Sequence, residues 1–257
     1  MADLQHTHEL TYVGSRVVKR FVDGKAGAAE REWRALGLLA RYAPGLAPEP
    51  IAFDGGAVTM SRLPGESLRG LSPLKVPLTE FAEALTELHA AVPSDVLSAL
   101  PVRPGQADAL TAWVRERAAG WLPRDPEADL AVREGLRWLE SWRPGEAGVT
   151  PVFGAGDGNL SNFLWDGFRV RVVDFEDSGS SDRAWELAEL AEHVSMWVDG
   201  EVGIAELFEL DPLESRRLLE CRRLQALVWL FLLSHEGPRN PPGTFRRQVE
   251  RTLAVLG

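Results

Sequence analysis

The stretch GDGNLSNFLWDGFRVRVVDFE, residues 156–176, contains the pattern that decides the fold of this chain. Within it, Asp166-Gly167 is a strong two-residue turn signal with apolar and β-branched residues on both sides. The pattern predicts a β-hairpin in which Trp165 lies opposite Phe168. Such a hairpin folds the end of the stretch back onto its beginning.

Three oxygen-bearing side chains gather at the open end of this predicted hairpin. In the predicted register Asp174 falls opposite Asn159, which brings Asp174 back beside Asp157 and Asn162. Hard oxygen ligands of this kind suit Mg²⁺. In phosphoryl transfer one aspartate contacts the acceptor hydroxyl, an asparagine a few residues later holds metal, and a second aspartate bridges metal and phosphates. The spacing D-x4-N followed by a further aspartate fits that chemistry.

A lysine and a glutamate near the N-terminus form a second candidate group. Residues 10–22 have the composition of a β-hairpin whose second strand carries Lys19, and residues 28–42 have a helical period that places Glu32 on the apolar face. Each charge is costly to bury alone, whereas an ion pair is tolerated. Lys19 and Glu32 are therefore candidates for such an ion pair, and Glu30 is the alternative partner.

The remaining elements follow from turn residues and apolar spacing. Asp54-Gly55-Gly56 predicts the turn of a second hairpin over residues 51–63, and Leu63-Pro64-Gly65-Glu66 marks a boundary. Beyond this boundary the apolar spacing is mainly helical. It predicts helices over residues 78–91, about 107–120, 127–142, 183–199 and 213–235.

Seven short motifs occur along the chain in a characteristic order. They are Val18-Lys19-Arg20, Glu30-Arg31-Glu32, Met60-Ser61-Arg62-Leu63-Pro64-Gly65, Leu88-His89-Ala90, Gly156-Asp157-Gly158-Asn159-Leu160-Ser161-Asn162, Val173-Asp174-Phe175-Glu176 and Asp182-Arg183-Ala184-Trp185-Glu186-Leu187-Ala188. With these motifs the sequence resembles the aminoglycoside phosphotransferase and choline kinase family, which are small-molecule kinases with a protein-kinase-like fold. The resemblance spans roughly residues 8–235.

The resemblance, together with the change from strands to helices, predicts a two-lobed α+β fold. A small sheet-plus-helix lobe over residues 1–62 would bind nucleotide, and residues 63–66 would link it to a mainly helical lobe over residues 67–257. The second lobe would carry the catalytic residues and bind the acceptor.

The resemblance also implies a role for each site residue. Lys19, held by Glu32, would contact the phosphates of ATP or GTP, and Met60 would lie beside the nucleotide. Asn162 and Asp174 would hold Mg²⁺. Asp157 would orient and deprotonate the acceptor hydroxyl of a small molecule, so that the chain is predicted to be a phosphotransferase with an alcohol group as acceptor.

The chain departs from the family pattern in three places. Ala155 stands where the family usually has histidine, the segment Leu4 to His8 contains no glycine for a nucleotide loop, and Gly158 to Ser161 replace the commoner L-H-P-G. The first two departures support an alternative function, a pseudokinase-like binding protein without efficient catalysis, whereas the third keeps the functional side chains Asp157 and Asn162.

Composition excludes several other classes of protein. Thirty-eight acidic and 28 basic residues give a net charge of −10, which opposes binding to nucleic acid or anionic membranes. Cys221 is the single cysteine, so no intramolecular disulfide forms. The N-terminal residues lack an apolar signal region, and the apolar run from Ala226 to Leu233 is too short for a membrane span. A cytoplasmic protein is expected, and its oligomeric state is not predicted.

Several acidic and histidine residues have more than one interpretation. Glutamates at positions 186, 189, 192, 201, 206 and 209 could pair with the ammonium groups of an aminoglycoside-like antibiotic, or form an acidic solvated surface. Glu176 and Asp177 could add charge to a second metal or be solvated. His6 and His8 form an H-x-H pair without a recognisable third ligand.

Overall fold

The computed structural model of the chain describes residues 8–21, 26–72, 75–203, 205–235 and 241–257. The chain divides into two compact units, Met1–Pro104 with Pro151–Ser181, and Gly105–Thr150 with Asp182–Gly257. The architecture is α+β, as predicted: an antiparallel sheet with one helix comes first, and helices dominate the remainder. The lobe boundaries at residues 62 and 66 stay a prediction.

The first unit contains most of the strands. In chain order its elements are β1 (His8–Val13), β2 (Arg16–Phe21), α1 (Ala28–Tyr42), β3 (Pro50–Phe53), β4 (Ala57–Ser61), β5 (Glu66–Ser67), α2 (Leu78–Ala91), α3 (Ser94–Leu97), β6 (Pro151–Gly154), β7 (Phe163–Trp165), β8 (Val170–Val172) and β9 (Gly179–Asp182), the last ending one residue into the second unit.

The four-stranded antiparallel sheet has the order β1-β2-β4-β3 and contains both hairpins predicted for the N-terminal region. Lys19 of β2 lies opposite Val58 of β4, and Val17 lies opposite Met60. Because alternate residues of a strand share a face, Lys19, Val58 and Met60 lie on one face of the sheet. All three are buried, so this face carries the lysine inside the unit.

Helix α1 has the bounds that the sequence predicts and packs through one apolar face. Ala35, Leu36 and Leu39 on that face are buried, and Glu32 shares it with only 1% of its surface exposed. The expectation that Glu32 lies on the apolar face is therefore confirmed.

The hairpin of β7 and β8 forms, but the predicted register is wrong by two residues. Trp165 lies opposite Val170 rather than Phe168. The side chain of Asp166 accepts hydrogen bonds from the backbone N–H groups of Phe168 and Arg169, each at 2.9 Å, and so stabilises a four-residue turn. This turn replaces the two-residue loop that Asp166-Gly167 predicts.

The second unit is mainly helical. Its helices are α4 (Ala107–Ala119), α5 (Pro126–Ser141), α6 (Arg183–Glu192), α7 (Pro212–Leu233) and α8 (Thr244–Leu256). Helices α4 to α7 each begin within one residue of the predicted position. The apolar faces of the helices in this unit form one core that includes Trp185, Leu224 and Leu227. Among the helices that the structure describes, none is both long and apolar enough to span a bilayer.

Helix α6 ends earlier than predicted, and α8 is not predicted at all. His193 has an extended backbone, and its Nδ1 accepts the backbone N–H of Ser195, which starts a short 3₁₀ helix instead of continuing α6. Helix α8 buries Thr244, Gln248 and Thr252 on its inner face. The core also receives Phe245, Val249, Leu253 and Leu256 from this helix, spaced 4, 4 and 3, so the apolar period is present in the sequence and the prediction missed it.

Glu192 at the end of α6 is not a solvated carboxylate. It is fully buried and accepts from Arg222 at 2.7 Å and Arg251 at 3.3 Å. Arg251 also contacts the carboxylate of Glu201 at 2.7 Å. Glu192 is therefore bound by arginines inside the second unit, and both interpretations given for it, acceptor binding and a solvated surface, are wrong.

Candidate active site

Lys19 is the centre of a buried charge cluster in the first unit. Its Nζ donates to Glu32 Oε2 at 3.0 Å and to Asp174 Oδ1 at 2.6 Å, and it lies 3.3 Å from Glu176 Oε2. Burial alone lowers the pKa of Lys19, but the charges of these carboxylates outweigh that effect and raise the pKa above its ordinary value. The ammonium is therefore charged at any physiological pH.

Glu32 connects three segments of the chain through one oxygen atom. Its Oε2 accepts from Lys19 and also from the backbone N–H of Phe175 at 2.7 Å. Burial raises the pKa of the Glu32 carboxyl, and the Lys19 charge opposes that shift. The other oxygen, Oε1, is buried and has no hydrogen-bond partner among the described residues. Strand β2, helix α1 and the segment after β8 are thus held at one point.

Asp174 has an unusual backbone conformation. Its φ of 70° makes it the one non-glycine residue with positive φ in the described ranges, a conformation that aspartate tolerates better than most residues. The neighbouring residues are fixed on both sides, since Val173 N–H donates to Asn162 O at 2.9 Å and Phe175 N–H donates to Glu32. These bonds hold the strained turn and keep Asp174 next to Lys19 and close to Asn162.

Asp157 and Asn162 form a second, directly bonded pair. Asn162 Nδ2 donates to Asp157 Oδ2 at 3.0 Å, and the backbone N–H of Asn159 donates to Asp157 Oδ1 at 3.0 Å. Burial raises the pKa of Asp157, and the charge of Asp174 adds to the shift. In this amide orientation the Oδ1 of Asn162 does not face Asp157, so it suits a cation.

Gly156 allows the turn that presents Asp157. Its φ is 88°, and a Cβ at this position would lie 2.2 Å from the backbone oxygen of Asp177. Such an approach excludes every side chain, and the positive φ independently favours glycine. The loop that carries Asp157 therefore packs against the segment that follows Asp174.

The arrangement combines the groups that phosphoryl transfer needs. A charged lysine is suited to phosphate oxygens, Asn162 and Asp174 offer hard oxygen donors to a divalent cation, and the raised pKa of Asp157 suits proton acceptance. Hydrogen bonds connect five of the six residues selected from the sequence. Lys19 bonds to Glu32 and Asp174, and Asn162 bonds to Asp157. The backbone of Val173, next to Asp174, bonds to the backbone of Asn162 and so joins the two groups. The sixth, Met60, shares the buried sheet face of Lys19.

Comparison with protein families decides the classification. The model of the phosphotransferase enzyme family, APH, matches residues 6–219. The chain belongs to this family. The predicted family resemblance is therefore confirmed, and the chain is a kinase-type phosphotransferase by family. No curated protein sequence matches the chain significantly.

Solved structures show the same protein-kinase-like fold. A choline/ethanolamine kinase family protein from Mesorhizobium loti has a TM-score of 0.67 and 22% identity, with 98% of this chain and 86% of that chain covered. The GDP complex of aminoglycoside 2'-phosphotransferase-IIIa has a TM-score of 0.58 and 17% identity, with 98% and 88% covered. A ternary complex of a thermostable mutant of aminoglycoside phosphotransferase APH(4)-Ia with ADP and hygromycin B has a TM-score of 0.58 and 17% identity, with 97% and 92% covered.

The alternative partner of Lys19 in this phosphotransferase family member, Glu30, is exposed. Glu32, the predicted partner, contacts the lysine. The segment Leu4 to Thr7, with its missing glycine, lies outside the described residues, as does His6.

The contacts of His8 and Arg31 with Glu176 are among those that were not predicted. His8 Nδ1 lies 3.2 Å from Glu176 Oε2. Arg31 Nε donates to the backbone oxygen of Glu176 at 2.6 Å. The sequence signal for Arg31 is only its place between two glutamates of the helix motif, and His8 is separated from Glu176 by 168 positions.

Proposed function

We propose that this protein transfers the γ-phosphoryl group of ATP or GTP to a hydroxyl group of a small molecule. The observation that carries the proposal is the contact of Asp174 with the buried Lys19–Glu32 pair. That contact joins the residues expected at the nucleotide phosphates to those expected at the metal, although Lys19 and Asp174 are 155 positions apart.

Each residue has a proposed role. Lys19, oriented by Glu32, contacts phosphate oxygens of the nucleotide, and Met60 lines the nucleotide site on the same sheet face. Asn162 and Asp174 hold Mg²⁺, which when bound neutralises charge on the phosphates.

Asp157 is proposed as the residue that faces the acceptor. It orients the acceptor hydroxyl and takes its proton as the oxygen–phosphorus bond forms, while the nucleoside diphosphate leaves with the bridging oxygen. The raised pKa of Asp157 makes this carboxylate a stronger base than an ordinary aspartate.

The acceptor is proposed to be a small hydroxylated molecule that carries positive charge. The net charge of −10 favours cations near the protein. The names of similar structures include choline/ethanolamine kinase and a complex with hygromycin B. Aminoglycoside-like antibiotics and amino alcohols are therefore the first acceptors to test.

A coupled ADP-release assay over aminoglycosides, other hydroxylated antibiotics, choline-like amino alcohols and sugars tests the reaction and the acceptor together. For the best acceptor, Asp157→Asn should lower kcat by about 10²–10⁴-fold and change the Kd for Mg-ATP by less than about threefold. The control is Asp54→Asn, which makes the same chemical change in the exposed turn between β3 and β4.

Three results would contradict parts of the proposal. Equal loss of turnover and nucleotide binding in Asp157→Asn would make Asp157 a structural residue. A response to neutral or anionic acceptors alone would reject the cationic substrate class. No calorimetric binding of Mg-ATP or Mg-GTP at millimolar concentration would favour the pseudokinase-like alternative, which draws on Ala155 in place of histidine and on the glycine-free segment Leu4 to His8.

A further inference from the structure

Helix α1 contacts the backbone immediately after Asp174 through two consecutive side chains. Glu32 Oε2 accepts from the Phe175 N–H at 2.7 Å, and Arg31 Nε donates to the Glu176 carbonyl oxygen at 2.6 Å. The acid thus binds a backbone donor, and the base binds the backbone acceptor of the next residue. Both kinds of backbone polar group in this segment are therefore bonded to one helix.

The guanidinium of Arg31 uses several donors at once. Besides the bond from Nε to Glu176, its Nη1 donates to Ala26 O at 3.0 Å, and its Nη2 lies 3.7 Å from Asp177 Oδ1. A planar guanidinium with donors on three nitrogens can make such contacts together. A Cβ at Gly27 would lie 3.1 Å from Nη1, so glycine at this position leaves space for the arginine.

The segment that Arg31 contacts also packs against the loop that carries Asp157. A Cβ at Gly156 would lie 2.2 Å from the backbone oxygen of Asp177, so the two backbones are in close contact there. Asp174, three residues earlier, has the strained φ of 70°. A strained residue keeps its conformation only where the surrounding contacts hold it. Arg31 supplies such contacts two and three residues after Asp174.

We propose that Arg31 is a positioning residue, which holds residues 174–177 against α1 and so keeps the Asp174 carboxylate in place for the metal of the nucleotide. The inference deepens the proposed function, because it rests on Asp174 as a metal ligand there. The competing interpretation is that the charge of Arg31 only offsets the carboxylates of Glu176 and Asp177. Lysine at position 31 separates the two interpretations, because it keeps the charge but has one nitrogen in place of the separate Nε and Nη donors.

Hydrogen exchange of the full chain without nucleotide, measured by mass spectrometry, tests the positioning itself. The amides of Phe175 and Ser178 are both hydrogen-bonded and report on the segment. Arg31→Lys and Arg31→Met should each accelerate exchange over residues 173–178 at least about tenfold and leave exchange in helix α7 unchanged. The control is Arg41→Lys, the same substitution at an exposed residue in the last turn of α1, which should leave exchange in both regions unchanged.

Calorimetry with AMP-PNP, an ATP analogue, measures the consequence for the metal. The Kd is determined once with Mg²⁺ and once with EDTA, and the ratio of the two values gives the contribution of Mg²⁺ to binding. Arg31→Lys should reduce this ratio by about tenfold and change the Kd in EDTA by less than about threefold. General damage to the first unit would weaken binding equally in both conditions, so a reduced ratio identifies an effect on the metal.

Three results would overturn the inference. The first is unchanged exchange over residues 173–178 in both Arg31 variants. The second is wild-type exchange in Arg31→Lys combined with faster exchange in Arg31→Met, because charge alone would then explain the residue. The third is faster exchange with an unchanged Mg²⁺ ratio, since Asp174 would then bind metal without Arg31. If the wild type does not bind AMP-PNP, the proposed function fails, whereas hydrogen exchange still decides whether Arg31 holds the segment.

Discussion

Replacing Lys19 with methionine should destabilise the protein by removing an ammonium that contacts three carboxylates. Glu32 is the decisive neighbour, since its side chain is only 1% exposed whereas that of Asp174 is 24% exposed and can be hydrated. At an effective dielectric constant of about 20, unit charges about 3 Å apart interact by roughly 5 kcal/mol. Loss of one partner from a buried ion pair typically costs about 3–5 kcal/mol.

The expected loss is large enough to measure by thermal unfolding. For a chain of this size, 3–5 kcal/mol corresponds to a decrease in Tm of roughly 10 °C. The decrease should become smaller as the pH falls towards 4, because protonation removes the unpaired carboxylate charges. The control is Lys75→Met, the same substitution at an exposed lysine.

A second substitution separates charge from packing. Glu32→Gln keeps an oxygen that can accept the Phe175 N–H, a bond of 2.7 Å in the wild type, and removes the buried charge. Lys19→Met with Glu32→Gln should therefore recover about 2 kcal/mol of the loss. The reasoning is refuted if Lys19→Met changes the Tm by less than about 2 °C at pH 7, or if the double variant is no more stable than the single one.

Two further predictions concern the loop that carries Asp157. The folded-state pKa of Asp157 is raised, so ionisation of Asp157 disfavours the folded state once the pH exceeds the pKa of the unfolded state. In urea titrations the stability of Asp157→Asn relative to wild type should therefore rise between about pH 3 and pH 7. A relative stability that falls with pH would contradict the direction of the shift. Gly156→Ala places a Cβ 2.2 Å from Asp177 O at a φ of 88°. It should lower the unfolding free energy by at least about 3 kcal/mol and abolish turnover, whereas Gly167→Ala, where a Cβ meets nothing within 4 Å and the φ is also positive, should cost only about 1–2 kcal/mol.

The sequence predicts the local elements of the first unit well because its signals are local. Glycine turns fix both N-terminal hairpins, and one helical period places Glu32 inside. The pairing of Lys19 with Glu32 is implied by the family resemblance, and the cost of burying either charge alone supports it. Lys19 and Asp174 are 155 positions apart, so periodicity cannot predict their contact. Only the resemblance to a known family places these two residues in one site.

The errors have different causes. The β7–β8 register is wrong because the Asp166 side chain makes two hydrogen bonds to the backbone and stabilises a longer turn than Asp-Gly suggests. Gln248 and Thr252 bury polar groups by bonding to each other, at 3.2 Å, and to the backbone of α7. The apolar residues of the same helix, Phe245, Val249, Leu253 and Leu256, do have a helical spacing, so the omission of α8 was an oversight and not the absence of a signal.

Oε2 of Glu32 accepts two hydrogen bonds, and this restricts which substitutions the surrounding sequence can accept during evolution. Lys19, Glu32 and Phe175 belong to three segments, yet their contacts converge on Oε2 of Glu32. A shorter acid at position 32 would have to withdraw from both donors together, and a shift of either donor segment would require the other to follow. Substitutions in β2, α1 and the segment after β8 should therefore be inherited as compensating sets, so that a change tolerated in one descendant is harmful when moved alone into another.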